Sequence, residues 1–340
     1  MMRKKWLVLV ILALAAASML YAAGAKEAEA KKMAPAEKVM KKASLRLNWK
    51  ITGPHAAYYL GAEKGFFKEE GIDLAIMEGS GSGPAANLVA NKQDTFGLAD
   101  AAALIPLVEK GLPIKCVGMI TPRTSLAVIT RQDTGIKKLK DIEGRSLAVT
   151  AGDSLTQVWP AVVAANNLDA SKIQLVYVDA AAKIPVVLEK KADALLGSSS
   201  DQFFILEGKG VPATAIEFAD YGVNVLNLGI YVHEDLVKQD PELIRAMLRA
   251  VKKSWDALKA NPEDGVQALI KAEPTLEVET ARNQTKAYLP KIISPNCPDS
   301  PFLYNCPKDW QMTQDIMTKY RGITATKKAE DYYINDFVPK

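Results

Sequence analysis

The sequence predicts an α/β protein built as two lobes. Through the middle of the chain, short apolar runs alternate with helical stretches, the pattern of strands joined by crossover helices. The roughly 300 residues that follow an N-terminal leader exceed what one hydrophobic core usually holds. The last third then turns helical throughout, as expected of a chain that leaves one lobe, builds another and returns.

The leader reads "MMRKKWLVLVILALAAASMLYAAGA". Arg3, Lys4 and Lys5 form a positive start, Trp6 to Ala17 is unbroken apolar sequence, and Ala23-Gly24-Ala25 gives a small-residue cleavage site. This is the pattern of a secretory signal peptide over residues 1–25. The apolar run falls short of the ~20 residues that span a membrane, so cleavage is expected rather than anchoring. No cysteine lies near the cleavage site to carry a lipid. Residues 26–43, mostly Ala, Lys and Glu, read as a mobile charged tether. The mature chain is therefore expected in the periplasm or another extracytoplasmic space.

Of 43 Lys and Arg, the leader removes three, leaving 40 against 39 Asp and Glu. A nearly neutral chain has no general pull towards nucleic acid, and none is expected as a partner. Three cysteines and two scattered histidines make no convincing metal site. Cys116, in "PIKCVGMI", reads as a small buried hydrophobe. Cys297 and Cys306 flank a Pro-rich loop, and outside the cytoplasm such a pair is expected to form a disulfide.

Nine strands are expected: 44–48, 73–77, 95–98, 114–120, 146–150, 173–178, 194–197, 214–218 and 226–232. Helices are expected between them over 56–70, 85–91, 101–110 and 183–190. Asp240-Pro241 starts a further helix, with Asp as its cap and Pro at the first helical position; Leu243, Met247, Val251 and Leu258 then recur on one face. The lobes divide as residues 44–128 for the first, 129–225 for the second and 226–340 for the return. "RQDTGIKKLKDIEGRS" reads as the first crossing and "FADYGVNVLNLG" as the second.

Ligands of open α/β sheets bind beyond the carboxyl ends of the strands, which selects four loops: "GSGSGP" at 79–84, "GLAD" at 97–100, "TAGDS" at 150–154 and "GSSSD" at 197–201. Each would open a helix whose first N–H groups lack partners. The Gly-Ser run lacks the Gly-Lys-Ser/Thr of a phosphate loop and the spacing of a dinucleotide fingerprint. Ser80, Ser82, Ser154 and Ser199 are candidate ligand contacts there. Asp100, Asp153 and Asp201 recur at equivalent positions; each either caps its helix or accepts a hydrogen bond from an amino group of a ligand. Arg123, in "TPRTS", is the donor candidate for an anionic ligand.

The stretch "LNWKITGPHAAYYLGAEKGFFKEEGIDL" concentrates rings in a chain that is only 7% aromatic. With its Asn-Trp pair and a His six residues later, it resembles the extracytoplasmic solute-binding proteins of the thiamine-pyrimidine-precursor family, within the nitrate/sulfonate/taurine class of importers. "ANKQDTFGLADA", "KKLKDIEGRSLAV", "LEKKADALLG", "DPELIRAMLRAV" and "AEDYYINDF" carry the resemblance across most of the mature chain. It implies a type II periplasmic-binding-protein fold: two mixed sheets flanked by helices, with a hinge between the lobes. It also implies a small planar heterocycle as ligand, an ABC permease as partner, a monomer, and no cofactor. Trp49 would stack on the ligand ring, with Asn48, His55 and Tyr58 at or near the cleft, while Phe66 and Phe67 belong to the core. The alternative ligand is a small anion: a sulfonate, nitrate or an aromatic carboxylate.

The same family includes a pyrimidine synthase that uses pyridoxal phosphate on a lysine and consumes its own histidine. The matching positions here are Ala99 and Ala103, and the segment matching its cysteine cluster contains no cysteine. That chemistry is not expected. Nor is hydrolase or transferase activity, since no Gly-x-Ser-x-Gly, His-Glu-x-x-His or Cys-x-x-Cys motif is present.

Overall fold

A computed structural model describes residues 40–340. The expected leader, and the tether up to residue 39, lie outside the described residues. Among the described residues, ten strands form two five-stranded sheets. They are β1 (Lys41–Arg46), β2 (Ile72–Met77), β3 (Phe96–Asp100), β4 (Ile114–Met119), β5 (Leu126–Arg131), β6 (Ser146–Val149), β7 (Gln174–Tyr177), β8 (Ala194–Ser198), β9 (Ala213–Glu217) and β10 (Leu228–His233). The first sheet runs β2-β1-β3-β10-β4 and the second β7-β6-β8-β5-β9. Each has four strands running the same way and one antiparallel strand inserted before the last: β10 in the first sheet, β5 in the second. The architecture is thus two mixed sheets flanked by helices.

Three boundaries differ from the sequence reading. β1 begins at Lys41, inside the expected tether, because Lys41 and Lys42 pair with Ile72 and Asp73 of β2 while their side chains stay in solvent. A polar edge of a strand is compositionally indistinguishable from a tether. The second difference is β5, which was not anticipated. All six of its residues are buried, and it pairs with β8 and β9. A run apolar on both faces gives no alternation to read. The chain has therefore crossed before Leu126, and "RQDTGIKKLKDIEGRS" links β5 to β6 within the second lobe.

The third difference lies at the C-terminus, where residues 226–340 do not stay with the first lobe. In the helix Pro307–Arg321, Trp310 packs with first-lobe residues such as Leu104 and Ile114, whereas Met317 enters the second-lobe cluster around Val158 and Phe218. Arg321 Nε donates to the Gln157 carbonyl at 3.1 Å.

Elsewhere the local rules hold. Asp240 accepts from the Leu243 N–H at 3.1 Å and starts the helix Pro241–Ala260, a cap worth about 1 kcal/mol. Leu243, Met247, Val251 and Leu258 are all buried against the first sheet's core. Gly65 adopts φ +78° and ends the helix Ala56–Glu63 before the short turn Phe66–Glu69, a conformation that glycine adopts without steric cost. Phe67 is core, and Phe66 packs partly against it. Cys297 and Cys306 are joined by a disulfide, and Cys116 is a buried free thiol.

Candidate functional site

The parallel strands of both sheets point their carboxyl ends at one cleft. β1 runs on into Asn48 and Trp49, β3 ends at Asp100, β6 leads to Asp153, and β8 leads to Asp201. Asn48, Trp49, His55, Ser82 and Asp100 from the first lobe face Asp153, Ser154 and Asp201 from the second across this cleft. It holds about 570 Å³ of empty space, part of it open to solvent.

Four candidates lie elsewhere. Tyr58 is fully buried in the first-lobe core, edge-on to Trp255 at 6.4 Å between ring centroids. Helical spacing turned it away from the cleft. Ser80 and Arg123 are exposed and do not line the cleft. Ser199 turns outward, its hydroxyl donating to Glu217 Oε1 at 2.5 Å.

His55 is buried, and burial lowers its pKa to about 4, so it is neutral near pH 7. Its Nδ1 accepts from the Thr52 N–H at 3.3 Å, which leaves the proton on Nε2, 3.1 Å from Asn48 Oδ1. That bond fixes the Asn48 carbonyl oxygen and leaves the amide N–H groups without a protein acceptor among the described residues. His55 therefore orients Asn48 as a donor at the cleft.

The three aspartates separate clearly. Asp153 is a cap: its Oδ1 accepts from the Thr156 N–H at 2.7 Å, and its Oδ2 lies 2.6 Å from the Lys183 ammonium. Asp201 does not cap its helix. Its oxygens accept from Gln284 Nε2 at 2.8 Å and Gln202 Nε2 at 2.7 Å, and burial raises its pKa to about 7. Gln284 Oε1 in turn accepts from the Gly53 N–H at 2.9 Å, so one side chain ties the two lobes together. Asp100 makes no cap either, and its Oδ1 is buried without a hydrogen-bond partner. Burial raises its pKa to about 6; the nearby Ser154 and Ser82 hydroxyls pull it partly back, and the Asp153 charge adds to the rise.

The Gly-Ser run has a role other than holding phosphate. Gly83 N–H donates to the Gly152 carbonyl of the opposite lobe at 3.2 Å, and a Cβ on Gly83 would sit 2.8 Å from that oxygen. Gly81, at φ +145°, lies against the Asp153 backbone. These glycines let two backbones meet across the cleft.

Sequence reasoning missed several cleft residues. Ser198 lies inside the selected loop 197–201 and Gln202 directly follows it, whereas Ser125 lies at the amino end of β5, where a rule about carboxyl ends does not reach. Tyr288 arrives from the helix Val278–Tyr288, where no local signal marks it. Lys183 begins the helix Lys183–Leu188 in the second lobe; its side chain is almost wholly buried and its Nζ lies 4.9 Å from the centroid of the Trp49 ring.

Two sheets meeting at such a cleft are the architecture of the periplasmic binding proteins. The alkanesulfonate-binding protein SsuA of Xanthomonas axonopodis pv. citri, bound to MOPS, superposes with a TM-score of 0.69 at 12% identity, over 88% of this chain and 100% of that one. The nitrate-binding protein NrtA of Synechocystis PCC 6803 gives 0.66 at 13%, over 88% and 87%. More narrowly, the chain belongs to the family described as NMT1/THI5 like, which matches residues 52–265. The riboflavin-binding protein RibY of Chloroflexus aurantiacus is 22% identical over 89% of this chain and 88% of its own. A 4-amino-5-hydroxymethyl-2-methylpyrimidine phosphate synthase of Saccharomyces cerevisiae is 24% identical over 79% and 80%.

Proposed function

We propose that the chain is the extracytoplasmic binding component of an ABC-type importer. It captures a small planar heterocycle bearing N–H donors, of the thiamine-pyrimidine-precursor type, by closing its lobes, and hands it unchanged to the membrane permease. The observation that carries this is Asp100: a buried carboxylate oxygen with no partner, facing the same cleft as the Trp49 ring. An unpartnered buried acceptor is costly unless a ligand supplies the donor, and an indole face suits a flat ring.

An anionic ligand fits the cleft less well. Three aspartates face it, its nearest ammonium is already paired with Asp153, and Arg123 lies outside it. The helix N-termini are partly used as well, since Asp153 takes the Thr156 N–H and Gly152 takes that of Gly83. Synthase chemistry of the kind named for the yeast relative is disfavoured by Ala99 and Ala103, both buried where that reading requires a lysine and a histidine. The leader motif supports export, with the protein acting as a monomer.

Calorimetric titration of purified protein tests the proposal. 4-Amino-5-hydroxymethyl-2-methylpyrimidine should bind 1:1 and be recovered unchanged, while nitrate and ethanesulfonate should give no heat. Binding of either anion without the pyrimidine, or recovery of an altered pyrimidine, overturns it. A flavin ring is the second reading, favoured by the likeness to the riboflavin-binding relative; riboflavin binding in place of the pyrimidine selects it.

A further inference from the structure

Lys183 is a buried ammonium with an unusual seat. It bonds Asp153 Oδ2 at 2.6 Å within its own lobe and faces the Trp49 indole of the other lobe at 4.9 Å. A carboxylate and an aromatic face converging on one point is the chemistry that recognises an ammonium ion: charge on one side, ring quadrupole on the other.

We propose that Trp49 and Asp153 form an ammonium-binding subsite at the cleft which the chain fills with its own Lys183, so that Lys183 determines specificity by shutting ligand ammonium groups out of that corner. A ring stacked on Trp49 uses the indole face away from Lys183, because an ammonium 4.9 Å from the centroid leaves no room for a ring at stacking distance on the same side. The subsite assembles only when the lobes meet, since Trp49 follows a strand of the first sheet and Lys183 begins a helix of the second lobe. The wild-type cleft therefore favours a neutral substituent over a charged amine at the ligand edge nearest Asp153. This builds on the proposed ligand site, but its first test needs no knowledge of the natural ligand.

Lys183→Ala removes three methylenes and the ammonium, the outline of n-propylammonium. Thermal melts of Lys183→Ala should rise saturably with n-propylammonium chloride but not with sodium chloride. The apparent affinity should be about tenfold or more above any wild-type response, and Lys183→Ala/Asp153→Asn should lose it. A Lys183→Ala protein that folds but answers both salts alike overturns the proposal. So does one that refolds in neither salt, because an ammonium subsite emptied of its lysine should be refilled by the added amine. In Lys183→Gln, the affinity of an aminomethylpyrimidine relative to its hydroxymethyl counterpart should rise about tenfold over the wild-type ratio; an unchanged ratio counts against the specificity role. If neither pyrimidine binds wild type while propylammonium still rescues Lys183→Ala, the ligand assignment falls and the ammonium subsite stands.

Discussion

Replacing Asp100 with Asn should change stability and affinity in opposite directions. In the unliganded protein the Asp100 carboxylate is buried with one oxygen unpartnered, so its charge is held at a cost. A pKa raised from 3.8 to about 6 corresponds to about 3 kcal/mol. The sign follows from proton linkage. Between about pH 4 and pH 6 the native state keeps a proton that the unfolded chain has lost, so this group makes stability fall as pH rises through that window; the full loss is present above about pH 6. Asp100→Asn removes the charge and should match or exceed wild-type stability at pH 7.5, with the difference shrinking towards pH 4. Its ligand affinity should fall, because a charged acceptor facing a ligand N–H is worth about 1.5–3 kcal/mol, roughly ten- to a hundredfold in Kd. Wild-type binding should also weaken below about pH 6, as Asp100 takes up a proton, and the variant should lose that dependence. Chemical denaturation across pH 4–8, with titration calorimetry at the same pH values, reads both quantities. A variant less stable at pH 7.5 with unchanged affinity would show Asp100 to be a structural residue and remove the main support for a donor-bearing ligand.

Trp49→Ala should weaken ligand binding by about ten- to a hundredfold, given about 1–3 kcal/mol for stacking of a base on an aromatic ring, while the unliganded fold survives. Trp255→Ala, at a fully buried ring, should cost about 3–5 kcal/mol of stability and serves as the contrast; the reverse pattern in paired melts and titrations would defeat the platform role. Gly83→Ala sets a methyl against the Gly152 carbonyl of the opposite lobe, so it should lower affinity by about tenfold and leave the scattering profile of the liganded protein more open than wild type. Replacing Cys297 and Cys306 by Ser opens a loop with a sequence separation of nine and should cost about 2–3 kcal/mol without changing ligand affinity. An affinity loss in that variant would tie the loop to the cleft.

What the sequence revealed, and what it withheld, follows from how far each signal reaches. The helix from Pro241 was legible because cap, proline and apolar spacing are all local, and each reports the same face. β5 was not, because a strand buried on both sides looks like any short apolar run, and missing it displaced the first lobe crossing. Asn48 and Trp49 came from the family resemblance, whereas the strand-end rule selected the loops that hold Ser82, Asp100, Asp153, Ser154 and Asp201 without knowledge of the fold, since position relative to a strand is also a local property. Orientation is not, which is why Tyr58 and Ser199 occupy the right segments with their side chains turned away. The three aspartates show the limit most sharply. All follow strands and precede helices, yet only Asp153 accepts its helix N–H, Asp201 is claimed by Gln284 from a helix 83 residues away, and Asp100 keeps one oxygen, Oδ1, without a partner. Lys183 takes the other oxygen of Asp153, and it lies 30 residues away in a segment that carries no motif. Pairing between segments distant in sequence is a property of the finished fold, so the difference between a cap, a lobe tie and an open acceptor appears only once both lobes are in place.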